Sequence, residues 1–520
     1  MLVVELLVAL FAAAVVLAWL ARRARVPYPI ALVLGGGALA FVPGLPRLPV
    51  DANLILVIVL PPVLYQAALL TSWRDFRANL GTISLLAVGL VVATTVAVAA
   101  TLKWLVPEVP WAAAFALGAI VSPPDAVAAT AVLSRLNMPR RIVTLLEGES
   151  LVNDASGLVL YRFAVAAVLT GAFSITQATV QFVLIAAGGI VVGVALGRLF
   201  VAIHRQLGDT LVEIVLSLVL PYAAYLIAET AHVSGVLAVV AAGLVRGRYA
   251  REAFSPEARI VAQSVWTVVV FLMNCFVFIL IGLQLPGIVS GLGGRSVSEA
   301  IAVGVVLSLV AIAVRMAWVF PGAYLPRFLA ARLSRPEASP PWQQVLVVGW
   351  SGMRGIVSLA AALALPLATD SGAPFPERDL LVFLAFVVIL VTLVVPGLTL
   401  APLARMLRVG GDWGMHDETQ LARAETARAA LAELARLERE GEITADVAEF
   451  LRREAELQLA RTSPGGLVLA YGDDPWCKAR RALVRAERRR LIELWRAGKI
   501  GDEVLHEIER ELDFEESRLG

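Results

Sequence analysis

The chain has 520 residues, 59% of them hydrophobic and only 17% charged, with a formal net charge of +2 and a mean hydropathy of +0.80. A soluble core does not need that much apolar material, so the composition describes a membrane protein. The small positive excess lies in short loops and implies no nucleic-acid surface.

Apolar runs of about 20 residues, each long enough to cross roughly 30 Å of hydrocarbon, recur from the first residue to about residue 405. They predict an all-α polytopic fold of about thirteen spans, centred near Val8, Val33, Val57, Val91, Ala116, Val159, Ile190, Leu218, Val239, Val277, Leu307, Leu359 and Val388. The first run lacks a basic start and is followed by Arg22, Arg23 and Arg25, which argues against a cleaved signal. Placing the N-terminus outside puts most arginines in cytoplasmic loops, among them Arg74, Arg77, Arg135, Arg140, Arg141, Arg246, Arg248, Arg335, Arg405 and Arg408. The opposite loops keep only Arg47, Lys103, Arg295 and Arg378, so an odd number of spans and a cytoplasmic C-terminus are expected together.

The composition changes abruptly near residue 406, which divides the chain into a membrane domain (1–405) and a soluble helical tail (406–520). Helix formers dominate from Glu418 to about Arg461, and Pro464-Gly465-Gly466 breaks the pattern. Beyond it, Trp476, Leu483, Leu491, Leu494, Trp495, Val504, Leu505, Ile508 and Leu512 recur among charged residues, as in helices packed on one another.

Several chemistries are poorly supported. Cys275 and Cys477 are far apart and form no CxxC pair. His204, His232, His416 and His506 show no metal-ligand spacing and read as surface or loop histidines. There is no phosphate-cradling GxxxxGK[ST] loop, so no nucleotide or other cofactor is expected and transport must draw on ion gradients.

Two spans carry signs of an interrupted helix. In Ser122-Pro123-Pro124-Asp125 the consecutive prolines remove backbone donors in mid-membrane, and Asp125 sits at the break. In Gly349-Trp350-Ser351-Gly352-Met353-Arg354-Gly355 three glycines loosen the chain around an arginine. Broken helices in both halves point to inverted repeats that cross at a site near the midplane.

The segment Gly148-Glu149-Ser150-Leu151-Val152-Asn153-Asp154-Ala155 places ionisable groups deep in an apolar helix, where they are costly and mark function. Ser150 and Asp154 share one helix face, and Glu149 and Asn153 share the neighbouring one. Arg354 is the expected partner of Glu149, which leaves Asp154 free to take up a proton or an alkali cation in turn. Competition for one carboxylate is the basis of exchange. Arg162 and Glu229 are further charged residues along a possible ion route, while Glu213 and Arg315 are expected nearer the membrane interfaces.

Taken with Leu60-Pro61-Pro62-Val63-Leu64-Tyr65, Ala231-His232-Val233-Ser234-Gly235 and Phe278-Ile279-Leu280-Ile281-Gly282, these motifs resemble the bacterial sodium/proton exchangers of the cation:proton antiporter 1 family. The resemblance covers nearly the whole membrane domain. It implies an antiporter of the bacterial cell membrane, a homodimer with an elevator-like core, handling small inorganic cations and protons in pH homeostasis. By resemblance Asp154 matches the ion-binding aspartate, Ser150 a cation-coordinating hydroxyl and Asp125 the acid of the unwound helix. Asn153 matches the mark of electroneutral members, and Glu149 with Arg354 the stabilising ion pair.

Two departures bear on selectivity. Gln66 stands where many relatives have a glutamate near the ion route. Pro124 replaces a hydroxyl residue, which leaves Ser122 or backbone carbonyls as the oxygens of that segment. Potassium/proton exchange on the same scaffold is therefore an alternative to sodium/proton exchange. From other classes, a passive cation channel would use the same residues to line a pore, and an intramembrane aspartyl protease would use Asp125 with Asp154. The protease reading lacks the Gly-x-Gly-Asp-type segment and leaves Arg354 unexplained.

Overall fold

The computed structural model describes the chain except residues 1, 25, 43–51, 134–137, 172–173, 208, 254–255, 333–339, 410–412, 461–474, 498–507, 509–510 and 515–520. It falls into two compact units, Met1–Gly411 and Asp412–Gly520. Among the features expected from sequence, Arg25, Arg47, Arg135, Arg335, the Pro464–Gly466 break, Val504, Leu505 and His506 lie outside the described residues, as do the side chains of His416, Trp476, Cys477 and Trp495.

Among the described residues of the first unit the regular elements are all helices, joined by turns and loops, with one isolated bridge between Ala368 and Pro374. Its elements run α1 (Leu2–Arg23), α2 (Tyr28–Leu39), α3 (Ala52–Leu70), α4 (Trp73–Ala78), α5 (Leu80–Ser84), a π-helical segment (Leu85–Leu90), α6 (Val91–Leu105), α7 (Trp111–Val121) and α8 (Ala126–Leu133). They continue with α9 (Arg140–Thr170), α10 (Ile175–His204), α11 (Thr210–Thr230), α12 (Gly235–Ala253), α13 (Pro256–Leu283), α14 (Leu285–Ser290), α15 (Val297–Arg332), α16 (Trp342–Trp350), α17 (Ile356–Leu363) and α18 (Arg378–Met406). Every expected span centre falls on one of these helices or on the π segment's junction with α6. Among the described residues, seven helices are long and apolar enough to cross a membrane, and Tyr28–Leu39, Leu56–Leu70 and Trp111–Val121 are shorter apolar helices.

Local chemistry sets several helix ends. Asp209 accepts hydrogen bonds from the amides of Leu211 (2.8 Å) and Val212 (3.2 Å) at the start of α11. At the end of α9, Gly171 adopts a left-handed conformation (φ 71°), which a residue with a Cβ takes up at a cost. The π segment leaves backbone groups out of register, and Trp318 Nε1 donates to the Leu85 carbonyl at 3.2 Å.

The expected interruptions are present. α7 stops at Val121 and α8 starts at Ala126, and α16 stops at Trp350 and α17 starts at Ile356. The two links cross, with the Asp125 amide donating to the Met353 carbonyl at 2.6 Å. His204 departs from the surface or loop position expected of it. It is 1% exposed, its Nδ1 lies 2.9 Å from the Phe200 carbonyl and its Nε2 3.1 Å from the Glu213 carbonyl. Glu213, expected near an interface, is also buried.

Small residues bring helices into contact where a larger side chain would separate them. On α2, a Cβ at Gly36 would overlap the Ile279 carbonyl, and on α13 a Cβ at Gly282 would overlap the Val33 carbonyl.

In the second unit α19 (Trp413–Arg439) packs with α20 (Ala445–Ala460), followed by α21 (Pro475–Arg496). Charged pairs one turn apart, such as Arg436 with Glu433 and Glu440, line the solvent face, and the Arg436 hydrogen bond holds the Glu433 carboxyl below the usual carboxylate range. Val484, Leu491 and Leu512 form a small apolar cluster with Ile508 against them, whereas Leu483 faces outward.

Replacing Gly282 with valine forces α2 and α13 apart and is expected to destabilise the membrane unit by about 1–3 kcal/mol. A lowered unfolding midpoint in detergent, read by tryptophan fluorescence, checks this contact.

Candidate ion-binding site

The crossing of the two links exposes helix ends of both polarities in a region with no solvent to satisfy them. At one pole lie carbonyls. The Arg354 guanidinium donates through Nε to the Val121 carbonyl that ends α7 (3.0 Å) and through Nη1 to the Gly352 carbonyl (2.6 Å). At the other pole lie amides, and Asp125 answers them. Its Oδ1 accepts from the Val127 amide at the start of α8 at 2.8 Å, and its Oδ2 is buried without a hydrogen-bond partner among the described residues. Cations at helix C-termini and anions at N-termini are the favourable placement. Gly355 is required for space, because a Cβ there would overlap the Asp125 carboxylate.

α9 runs alongside this crossing as one continuous helix of 31 residues. Asn153 Nδ2 donates to the Pro124 carbonyl at 2.8 Å, supplying a donor to a carbonyl that the proline break left free. Gly157 admits Pro123 against the helix, since a Cβ at Gly157 would overlap the proline ring. Asp154 is 6% exposed, and among the described residues no hydrogen bond or ion pair reaches its carboxylate.

The expected Glu149–Arg354 pair is not formed. Glu149 is instead held in a two-pronged pair by Arg315 of α15, with Nη1 to Oε1 at 2.5 Å and Nη2 to Oε2 at 2.8 Å, both side chains being almost wholly buried. Arg315 also donates to the carbonyls of Gly349 (3.2 Å) and Val348 (3.1 Å) near the end of α16. The expected position of Arg315 near an interface is thus also corrected. The reason is geometric: Arg354 lies inside the unwound link, where nearby carbonyls take its donors, while Arg315 reaches Glu149 from a neighbouring helix.

A cavity of about 480 Å³ opens beside the crossing, lined among others by Gln66, Asp125, Thr130, Glu147, Ser150, Asp154, Asn274 and Ser358. It brings together Asp154, Ser150, Asp125 and Gln66 from the expected set. Ser122 does not line it: its hydroxyl donates to the Ala119 carbonyl (3.2 Å) and lies 3.3 Å from Thr95 Oγ1. Asn153 and Glu149 also face elsewhere. Arg162 and Glu229 bind one another at 2.9 Å, partly exposed, and are not part of this lining. Glu147 escaped the sequence reading, and the pairing of Arg315 with Glu149 was not foreseen. Glu147 lies three residues before Ser150 and seven before Asp154, on the same face, which helical periodicity shows. Arg315 is an arginine inside the apolar span Val297–Leu325, a placement that itself signals a buried partner.

The family model for sodium/hydrogen exchangers (transmembrane) matches residues 9–406. An uncharacterized Na(+)/H(+) exchanger of Mycobacterium tuberculosis is 36% identical over 522 residues, covering 99% of this chain and 95% of its own length. A sodium, potassium, lithium and rubidium/H(+) antiporter of Bacillus subtilis is 33% identical over 509 residues, covering 94% of this chain and 74% of its own. Among solved structures, the sodium proton antiporter MjNhaP1 of Methanocaldococcus jannaschii matches with a TM-score of 0.60 at 19% identity, over 78% of this chain and 99% of that one. The chain is therefore a multi-pass membrane transporter and belongs to the sodium/hydrogen exchanger family, and it shares the antiporter fold.

Removing one member of a buried ion pair strands the other. Arg315→Met is expected to cost about 3–5 kcal/mol, and the double variant Glu149→Gln with Arg315→Met to recover much of that loss. Thermal unfolding of the two variants beside the wild type tests the pair, and a wild-type midpoint for R315M would rule it out.

Proposed function

We propose that the protein performs electroneutral exchange of a monovalent cation, sodium first, for a proton, with Asp154 as the site both ions share. The observation that carries this reading is a deeply buried carboxylate, without a counter-charge among the described residues, on a largely apolar cavity that holds a few oxygen-bearing side chains. At the crossing the other charges balance, Arg315 and Arg354 against Glu149 and Asp125. An unpaired carboxylate at membrane depth is costly as an anion, so it is stable when it carries a proton or a cation. If the carrier reorients only in those two states, one cation is swapped for one proton and no net charge moves.

Ser150, Asp125 and Gln66 supply further oxygens on the cavity wall. Potassium remains a second substrate reading, supported by the cation range in the name of the Bacillus subtilis relative and by Gln66 and Pro124 at positions that set coordination. The hydrogen bonds that join α9, α15 and both crossing links into one block support an elevator-like movement of that block. The proposed dimer rests on the family resemblance and on the apolar flank of α10, of which only 17% of the most apolar stretch is buried. The arginine bias supports a cytoplasmic C-terminus and an external N-terminus.

The decisive experiment loads proteoliposomes with acid and adds sodium, lithium, potassium or rubidium with the membrane potential free or clamped. Proton release that follows one cation and ignores the potential establishes electroneutral exchange, and a cation current without proton movement would favour a channel. Asp154→Asn is expected to abolish exchange while the protein still purifies as a folded species, and retained coupled flux in that variant would overturn the assignment. Truncation after Gly411 is expected to leave exchange in place and to alter its pH profile. Loss of membrane insertion in the truncated protein would make the tail structural instead.

A further inference from the structure

Glu147 is a carboxylate that the charge balance at the crossing does not use. It is half-buried on the second turn of α9, lines the same cavity as Asp154, and makes no hydrogen bond or ion pair among the described residues. With Ser150 and Asp154 it forms a stripe along one helix face, and the two carboxylates stand about two turns, or roughly 10 Å, apart. At the deep end of that stripe is the unpartnered, 94%-buried side chain of Asp154.

The cavity has a direction. Its outer wall includes Leu70, the last residue of α3 and 62% exposed, together with the exposed Thr267 of α13. Thr130 and Ala131, near the end of α8, lie on the same wall as Glu147. The helix ends near this mouth adjoin Arg74, Arg77, Arg140, Arg141 and Arg259, the side that the arginine bias assigns to the cytoplasm. The remaining lining between mouth and crossing is largely apolar, with Val59, Leu60, Val63, Leu64 and Val270 among it. The side-chain oxygens that a cation meets along that wall are those of the stripe and of Tyr28, Gln66, Asp125, Thr130, Thr267, Asn274 and Ser358.

We infer that Glu147 is a second cation-attracting station, the outer carboxylate through which a partly hydrated alkali cation passes from the cytoplasmic mouth to Ser150 and Asp154. This rests on the exchange reading and extends it to a residue outside the family's motif positions quoted above. When ionised, a carboxylate at this distance raises the occupancy of the inner site for a monovalent cation and supplies an oxygen at the stage where hydration water is shed. Because both carboxylates ride on one rigid helix, their spacing is kept as the block moves.

The test measures sodium- and potassium-dependent proton exchange in proteoliposomes for the full-length wild type, Glu147→Gln and Glu147→Asp. E147Q is expected to raise the apparent KM for the cation about five- to tenfold, with a smaller change in the maximum rate. E147D is expected to restore most of the affinity, and added choline chloride to narrow the gap between wild type and E147Q by screening. A wild-type KM in E147Q, or an E147D variant as impaired as E147Q, overturns the assignment and leaves the exchange reading intact. Absence of coupled exchange in the wild-type control overturns the exchange reading and Glu147 with it. Unfolding midpoints of the variants separate loss of affinity from loss of fold: a KM change that tracks a lowered midpoint in both variants also overturns the assignment.

Discussion

Two helices broken in the middle of a membrane must satisfy four sets of free backbone groups without water, and the rest of this structure is arranged around that constraint. The solution is electrostatic. Arg354 and Arg315 cover carbonyl ends, Asp125 covers amide ends, and the amide of Asp125 itself donates to Met353 in the other link. Arg315 and Arg354 are buried and Asp125 is half-buried, so each needs an opposite charge nearby, and Glu149 supplies the last of them by pairing with Arg315. What remains at the crossing is the carboxylate of Asp154, which the scaffold, as with Glu147 on the same cavity wall, does not consume.

On the proposed exchange reading, that remainder turns a structural device into a transport site. The same unwinding that creates free carbonyls opens space beside α9, and Gly157 and Gly355 keep the links close enough to the helix for the cavity to form against it. Asn153 fixes the position of the Pro124 carbonyl and so stiffens the wall next to Asp154. Stability and ion handling therefore share residues one position apart on α9: Glu149 belongs to the scaffold and Ser150 to the cavity.

Much of this was legible in the sequence. The apolar runs located helices at every expected centre, and the double proline and the glycine cluster located both breaks, because these residues act through local backbone chemistry. The Ser150–Asp154 face was readable from helical periodicity. Partner choice was not readable. Arg354 and Arg315 are both buried arginines, and nothing in their spacing from Glu149 tells which one reaches it. Ser122 is adjacent to the break and was expected to face an ion, yet its hydroxyl turns to Ala119 and Thr95. His204 looked like a loop histidine and is enclosed between two carbonyls.

By itself, then, the sequence determined the membrane class, the placement of the helices, the two interruptions and the presence of a carboxylate at Asp154 deep in an apolar helix, all of which follow from composition or from contacts within a few residues. Only the tertiary structure decided that Arg315 neutralises Glu149, that Asn153 binds a carbonyl instead of facing the cavity, and that Glu147 and Gln66 share a cavity with Asp154. These are contacts between side chains up to 166 residues apart, and their geometry depends on how the helices rotate and slide against one another, which no local pattern encodes.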